Sequence, residues 1–263
     1  MEITRTEVLS SDFYGFQNQL TEAENASVAD IRAFLESEVR PIADDYWERA
    51  EFPHQLIAPM AGLGLYGPIW DESRAFENSA QYRGWVALEL ARVDPSISTF
   101  IGVQSGLAMG SIGVTGSAEQ RAQWLPPLAR GELVGAFGLT EPLSGSDSAR
   151  GLRTTARREG DTWILDGAKR WIGNATFADV VVIWAKDEAD GQVKGFLVRT
   201  DSPGFRATKI ERKISLRIVQ NADITLEGVR VAEEDRLQNA NSFRDTATVL
   251  RLCLLYTSDA ADE

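Results

Sequence analysis

The sequence predicts an α+β multidomain protein, a helical amino-terminal region followed by a β-barrel or sandwich, on three observations. Apolar residues recur at helical spacing up to about residue 132. Beyond Gly131 the apolar runs shorten and alternate with glycine-containing turns. At Ser242 a helical pattern returns shortly before the chain stops. These place an α-helical domain at 1–132 and a β domain at 133–238, with a helical pattern resuming within 239–263.

The elements follow in order. Ser27 and Asp30 form a capping-box-like start, and Ile31, Phe34, Leu35 and Val39 mark one helical face. Pro41 is expected to kink or interrupt that helix. A short apolar segment spans Leu56 to Met60. Tyr82, Trp85, Val86 and Leu90 sit at helical spacing between Ser79 and Val93. Asp94-Pro95 reads as an N-cap followed by proline at the first helical position. Gly102, Gly106, Gly110 and Gly113 weaken the next helix but let another segment approach closely. Ser117 with Gln120 is a second capping signal.

In the β region, Leu133 to Leu139 is a short apolar run. Glu159-Gly160-Asp161 joins two strands as a hairpin, Ala178 to Ala185 is strand-like, and Asp190-Gly191 turns into Val193 to Val198. Glu227-Gly228 is expected to turn between Ile224–Leu226 and Val229–Val231. Strands this short with such turns suggest a sandwich or small barrel.

Composition excludes several classes of function. The chain's 263 residues, 43% of them hydrophobic, suffice for one large core or two moderate ones. Its net charge of -12 is spread along the chain, which argues for solubility and against a nucleic-acid partner. No run of 18 apolar residues reads as a membrane span, and Met1 to Asp12 has no apolar core of the signal-peptide type. Cys253 is the only cysteine and His54 the only histidine, so neither a disulfide framework nor a cysteine or histidine metal site is expected. A cytoplasmic protein is the expectation. His54, beside Pro53, reads as structural or surface, with a general base the alternative.

Two segments carry chemistry. Phe137-Gly138-Leu139-Thr140-Glu141-Pro142-Leu143-Ser144-Gly145-Ser146-Asp147 runs a strand into a loop dense in hydroxyls and amides. Such a loop can present N–H groups to an anion or to the polar edge of a ring, and can equally be a surface turn. Lys169-Arg170-Trp171-Ile172-Gly173-Asn174 places an aromatic ring beside a glycine and an amide. That suits stacking on a planar cofactor, although taken alone a core tryptophan at a strand end is the simpler reading. Gly62-Leu63-Gly64-Leu65-Tyr66-Gly67 matches a dinucleotide pattern, but a helical segment precedes it and Pro68 follows, so a turn between helices is expected. Glu233-Glu234-Asp235 reads as a solvated turn, and Arg157-Arg158 as facing solvent across a hairpin.

The Phe137–Asp147 segment resembles the signature segment of the acyl-CoA dehydrogenase family, and Trp171-Ile172-Gly173-Asn174 resembles its second flavin-contacting motif. Further pieces are Ala91-Arg92-Val93-Asp94, Val103-Gln104-Ser105, Gly116-Ser117-Ala118-Glu119-Gln120, Gly195-Phe196 and Lys213-Ile214-Ser215-Leu216-Arg217. Together they cover about residues 25–251. Lys169 to Asn174, Phe177-Ala178-Asp179 and Val219-Gln220-Asn221 are most similar to the branch of glutaryl-CoA dehydrogenases and short-chain acyl-CoA oxidases.

The resemblance implies an amino-terminal helical domain, a middle β domain and a carboxy-terminal four-helix domain, with FAD between the last two. It implies α,β-dehydrogenation of a short- or medium-chain acyl-CoA thioester to a trans-2-enoyl-CoA. The alternatives are a short-chain acyl-CoA oxidase using oxygen, a glutaryl-CoA dehydrogenase, and a non-catalytic acyl-CoA-binding scaffold. Implied partners are the acyl-CoA, an electron-transfer flavoprotein or similar acceptor, and further copies in a homotetramer.

By the same resemblance, Phe137, Leu139 and Thr140 contact the flavin pyrimidine edge. Ser146 lies near the pyrophosphate and the CoA chain, Trp171 packs along the isoalloxazine, and Ile172 and Gly173 add backbone contacts. Ser98 and Thr99, with Ser146, fall at substrate-binding positions. Many relatives have threonine where this chain has Gly173. Ser98 stands where glutaryl-specific members carry arginine, so a distal carboxylate would be buried unpaired, which disfavours glutaryl-CoA. The base glutamate of this branch is expected beyond the chain, so no catalytic residue is assigned. Residues from Cys253 to Glu263 do not resemble the family and read as translation past the end of a gene fragment.

Overall fold

Thr21 starts the first long helix. Its hydroxyl accepts the Glu24 N–H at 3.2 Å while the Glu24 carboxylate accepts the Thr21 N–H at 2.9 Å. This reciprocal box opens α1 (Glu22–Phe34), ahead of the start expected at Ser27. Ser27 instead lies mid-helix with its hydroxyl 2.8 Å from that of Tyr82. The computed structural model describes residues 12–67 and 78–255. The amino-terminal stretch read for a signal sequence, Pro68, and most of the tail from Cys253 fall outside them.

A π turn, Leu35–Val39, joins α1 to α2 (Arg40–Arg49). Pro41 sits in the first turn of α2, where its missing N–H costs least. α3 (Ile57–Gly62) and α4 (Ala80–Val93) follow, the latter capped by Ser79. Asp94 caps α5 (Pro95–Ile101), accepting from Ser96 and Ile97 N–H as expected. The helix continues through a π stretch, Gly102–Met109, into α6 (Gly110–Thr115), and the Ser117–Gln120 box starts α7 (Ala118–Ala129).

The continuous run Pro95–Thr115 is long and apolar enough to cross a membrane by length and composition, contrary to the sequence reading. It is instead the core helix of the molecule. Its window is 67% buried inside the protein, and Ile97, Phe100, Met109 and Ile112 are fully enclosed. Gly110 faces Val249 of α9 (Phe243–Leu255), but a Cβ there would lie at an ordinary 4.0 Å and one at Gly102 would meet nothing within 4 Å, so no close approach requires glycine at these two positions.

The β region is one mixed, open sheet of β1 (Gly135–Gly138), β2 (Thr155–Glu159), β3 (Thr162–Ile172), β4 (Val180–Asp187), β5 (Val193–Arg199), β6 (Phe205–Lys209) and β7 (Ala222–Ala232). A four-residue helix, α8 (Ser148–Gly151), lies between β1 and β2. β5 covers one edge of β4, while β1 and then β2 pair in parallel with the other. β3, β7 and β6 continue the sheet antiparallel beyond β2. The Glu159-Gly160-Asp161 hairpin forms as expected, with Gly160 at φ 61°.

The Glu227-Gly228 turn does not separate two strands. β7 runs straight through it, and the left-handed Gly228 (φ 64°) donates its N–H to Asp166 Oδ1 at 2.7 Å, opposite a register shift in β3. A bulge absorbs the glycine. β6, an edge strand with little apolar content, carries no signal that the sequence reading singled out.

The helices and sheet share one continuous apolar core. Phe52 stacks with Phe177 at 5.1 Å and packs tilted against Phe100 at 4.3 Å, and His54 packs edge-on to Phe52 and Phe177. His54 therefore acts in packing. The Gly62–Gly67 segment leaves the helix α3 rather than a strand, which removes the dinucleotide reading.

Buried charge in the helical region is paired. Arg32 donates to Glu89, and Arg92 bridges Glu89 and Glu36. The hydrogen bond from Arg40, aided by Arg92, holds the Glu36 carboxyl down to about 2. Its contribution to stability is therefore complete above the ordinary 4.5 and lost as pH falls toward 2. Acid titration of helicity is expected to show a shallower loss over that window in Glu36→Gln than in the parent chain.

Candidate functional site

β4 changes partner halfway along. β1 pairs with it from Val180 to Ile183, and β2 only at Lys186 and Asp187. The segment from Leu139 to Thr154 leaves the sheet at this break. Trp184 lies in the unpaired interval, and its carbonyl accepts from Lys169 Nζ at 2.6 Å. A lysine ammonium thus supplies a donor where the ladder has none.

Lys169 also donates to Leu139 O at 3.3 Å and to Glu141 Oε1 at 2.8 Å. Glu141 in turn accepts the N–H groups of Arg153 (2.7 Å) and Thr154 (3.0 Å), closing the far end of the loop. Both side chains are buried, Lys169 completely and Glu141 to 4% exposure. Burial pushes the Lys169 ammonium down to about 8 against the opposing pull of Glu141, so it remains largely charged at neutral pH. Burial works against the Glu141 carboxylate too, but Lys169 and the hydrogen bonds hold it below its ordinary range. The loop root is an ion pair with its remaining valences filled.

Beside this root, β3 bulges. Lys169 faces Ile224 and Ile172 faces Ala222, three steps on β3 against two on β7. Arg170 and Trp171 are the displaced pair, and Trp171 takes φ 64°, unusual for a bulky residue. The indole is consequently 54% exposed. Arg170 lies over it at 5.4 Å, and the Arg170 N–H donates to Thr140 O at 2.8 Å. That bond brings the two motifs together.

The motif residues differ in what they offer. Phe137 is buried with its ring toward Trp184, and Leu139 and Ile172 are buried, leaving their backbones as the available groups. Thr140 is half-buried, and its hydroxyl bonds no other described residue. Ser146 is exposed at the outer part of the loop, before α8. Gly173 abuts the helical region, where a Cβ would lie 3.3 Å from Val103 Cγ2 and 3.6 Å from Val219. Ser98 and Thr99 are half-buried one turn before Val103, and Thr99 Oγ1 is turned back onto Pro95 O at 2.9 Å. Among the described residues, no hydrogen bond or ion pair joins Ser98 or Ser146 to the Thr140–Trp171 junction.

Several participants carried no assignment from sequence. Gln104 fastens the root of β1, accepting from Gly135 N–H at 2.7 Å and donating to Leu128 O and Leu133 O. Asn174 reaches Gly135 O at 3.4 Å. Asn221 donates to Trp171 O, and Lys213 holds Asn221. For Lys169 a signal existed. Counting inward positions by twos from Leu165 places this lysine toward the core, where it requires a partner. The Arg157 and Arg158 side chains are engaged at the surface by Glu159 and Glu233, and Glu233 also accepts from Trp163 Nε1.

Known proteins share this arrangement. Residues 21–132 match the family described as acyl-CoA dehydrogenase, N-terminal domain, and residues 136–229 match acyl-CoA dehydrogenase, middle domain. A short-chain specific acyl-CoA dehydrogenase of Mus musculus is 35% identical over 78% of this chain and 51% of its own length. A 3-(aryl)acrylate reductase of Clostridium sporogenes is 34% identical over 80% of this chain and 56% of its own. A glutaryl-CoA dehydrogenase of Mycobacterium smegmatis, solved with FADH2, superposes with a TM-score of 0.86 at 37% identity, over 91% of this chain and 61% of its own. The chain spans about half the length of the curated relatives it matches.

The cytoplasmic expectation is overturned by these relatives. The mouse, rat, human and bovine proteins are mitochondrial, and charge and cysteine content do not report on compartment.

Proposed function

The chain belongs to the acyl-CoA dehydrogenase family, and on that premise we propose that it forms the amino-terminal and middle domains, 1–132 and 133–238, of an FAD-dependent oxidoreductase acting on acyl-CoA thioesters. The observation that carries this reading is the Thr140–Trp171 junction. A half-exposed indole stands on a bulge, beside a hydroxyl that bonds no other described residue and a glycine without a Cβ. A planar cofactor with a polar edge fits that combination.

In this reading the backbone of Phe137 and Leu139, with the Thr140 amide and hydroxyl, holds the pyrimidine edge of FAD. Trp171 packs along the ring system, Ile172 and Gly173 present backbone, and Ser146 serves the pyrophosphate and the CoA chain. Bound there, FAD supplies the hydride acceptor. The chain's own residues position the cofactor and exclude water from one side of it.

Glu141 is not a base for the α-proton despite its place in the loop. Its oxygens are taken by Lys169, Arg153 and Thr154, and its carboxyl is held low. No described carboxylate is assigned that role. The fitting substrate is an uncharged short or medium acyl chain, because Ser98 brings no positive charge to a distal carboxylate. The same argument disfavours glutaryl-CoA despite the structural likeness. The electron acceptor would be an electron-transfer flavoprotein or similar protein, and the complete protein a homotetramer. An oxidase remains the second reading, favoured by Gly173, where no side-chain hydroxyl is available.

Because the chain spans about half its relatives' length, it is expected to purify with little FAD and to show no appreciable acyl-CoA turnover. Added FAD is expected to bind weakly and saturably, followed by quenching of flavin fluorescence. No saturable binding at any concentration would overturn the site. Tightly bound flavin bleached rapidly by an acyl-CoA would overturn the expectation of an inactive chain. Peroxide formed in step with that bleaching, without another acceptor, would select the oxidase.

A further inference from the structure

We propose that Lys213 is a positioning residue for Trp171, acting through the Asn221 side-chain amide to hold the β3 bulge and with it the direction of the indole. The bulge takes Trp171 out of the β3–β7 ladder. Its carbonyl accepts instead from Asn221 Nδ2 at 3.1 Å. Asn221 stands immediately before β7, so the donor comes from the strand that the bulge has slipped against.

The amide of Asn221 has only one orientation that satisfies both of its neighbours. Its Oδ1 accepts from Lys213 Nζ at 2.6 Å, which turns Nδ2 toward Trp171. Reversing the amide would set its nitrogen against an ammonium and its oxygen against a carbonyl. Lys213 spends its other donors on Leu216 O, at 2.7 Å, and on Val219 O. All three protons of the ammonium are thereby used within one loop.

That loop is itself shaped around the lysine. Arg212 and Leu216 both take left-handed backbone, φ 60° and 47°, without being glycine. Arg217 extends the linkage, donating to Lys213 O at 3.0 Å and to the carbonyls of Trp47 and Glu48 at 2.9 and 2.8 Å. A line of hydrogen bonds thus runs from the end of α2 through Arg217, Lys213 and Asn221 to the backbone of Trp171. The neighbouring Ile214 is 96% exposed, so the loop gains nothing from burying that side chain. Ile218 and Val219 are buried and anchor the far end of the loop, while the stretch from Lys213 to Leu216 is held by polar contacts around the ammonium.

The consequence for a flavin rests on the reading above, but the position of the indole does not. The test is therefore made on this chain without cofactor, labelled with 5-fluorotryptophan and followed by fluorine NMR. The Trp171 resonance is assigned by its loss in Trp171→Phe. Asn221→Asp is the informative variant. It keeps an acceptor for Lys213 but replaces the donor to Trp171 O with a second oxygen.

The expected result is a shift of the Trp171 resonance by more than a linewidth in Asn221→Asp. Hydrogen exchange of residues 213–219 and the Trp47 resonance should stay unchanged. In Lys213→Met, which keeps the stem and drops the donors, the Trp171 resonance should move and loop protection should fall. A stationary Trp171 resonance in folded Asn221→Asp would overturn the relay. Loss of loop protection in Asn221→Asp would assign both residues to loop folding alone and would also overturn it. If Lys213→Met does not fold, Asn221→Asp decides by itself. A negative FAD titration would leave this result standing, and a failed relay would leave the flavin reading standing.

Discussion

Glu141→Ala is expected to destabilise the chain by about 3–5 kcal/mol, because it leaves the buried Lys169 ammonium without its counter-charge. The Arg153 and Thr154 amides lose their acceptor in the same step. In urea the unfolding midpoint should fall with little change in slope, since the surface exposed on unfolding is the same. The double variant Glu141→Leu/Lys169→Met should recover much of the loss, because removing both charges avoids the uncompensated one.

A pH signature accompanies this pair. Burial holds the Lys169 pKa at about 8, below the ordinary 10.5, so the unfolded chain binds that proton more tightly. The group's contribution to stability therefore grows as pH rises from about 8 to 10.5, and it is lost as pH falls back through that window. In Lys169→Met/Glu141→Leu this alkaline rise should disappear. If Glu141→Ala costs less than about 1 kcal/mol, the pair is solvated in solution and does not root the loop.

Trp171→Ala is expected to weaken FAD binding to this chain by about fivefold to 150-fold, the 1–3 kcal/mol typical of an aromatic side chain stacked on a planar base. The measurement is the flavin titration described above. Because the indole is half exposed and outside the core, the same variant should unfold at nearly the parent's urea concentration. Unchanged flavin affinity would remove Trp171 from the binding surface, whereas a large loss of stability would mean that the indole supports the fold. Trp171→Phe should retain part of the affinity, since a smaller ring still stacks.

Much of the site's location was legible in the chain. The Phe137–Asp147 loop announces itself by hydroxyls and glycines following an apolar strand, and the Trp171–Asn174 segment by an aromatic beside glycine and amide. Both are local features, readable within a dozen residues. The root beneath them was less accessible. Glu141 and Lys169 are separated by 28 positions, and neither signals its partner. The link from Lys213 to Trp171 passes through Asn221, 50 positions from the backbone carbonyl it holds. The bulge was unreadable because it arises from a mismatch between two strands, not from a turn residue in one.

Local chemistry also fixes what the capping signals could promise. Asp94 and Ser117 were correct because a cap needs only neighbours three residues away. Ser27 falls inside the helix instead, because Thr21 and Glu24 open it six residues earlier with a complete reciprocal box. The run Pro95–Thr115 shows the limit of composition. Membrane-like hydropathy and a core helix are the same pattern until something packs around it.

By itself the sequence determined the change from helix to strand after Gly131, the caps at Asp94 and Ser117, the β2–β3 hairpin and the two motifs of the candidate site. Tertiary structure decided the fates of two tryptophans that the sequence treats alike. Trp184 is fully buried inside the sheet and Trp171 is 54% exposed. Both follow strand-forming runs. The difference is a single extra residue in β3, which turns the backbone left-handed and throws one indole outward. The carbonyl that the bulge sets free is met by an amide 50 positions away, a partner that only the folded chain brings within reach.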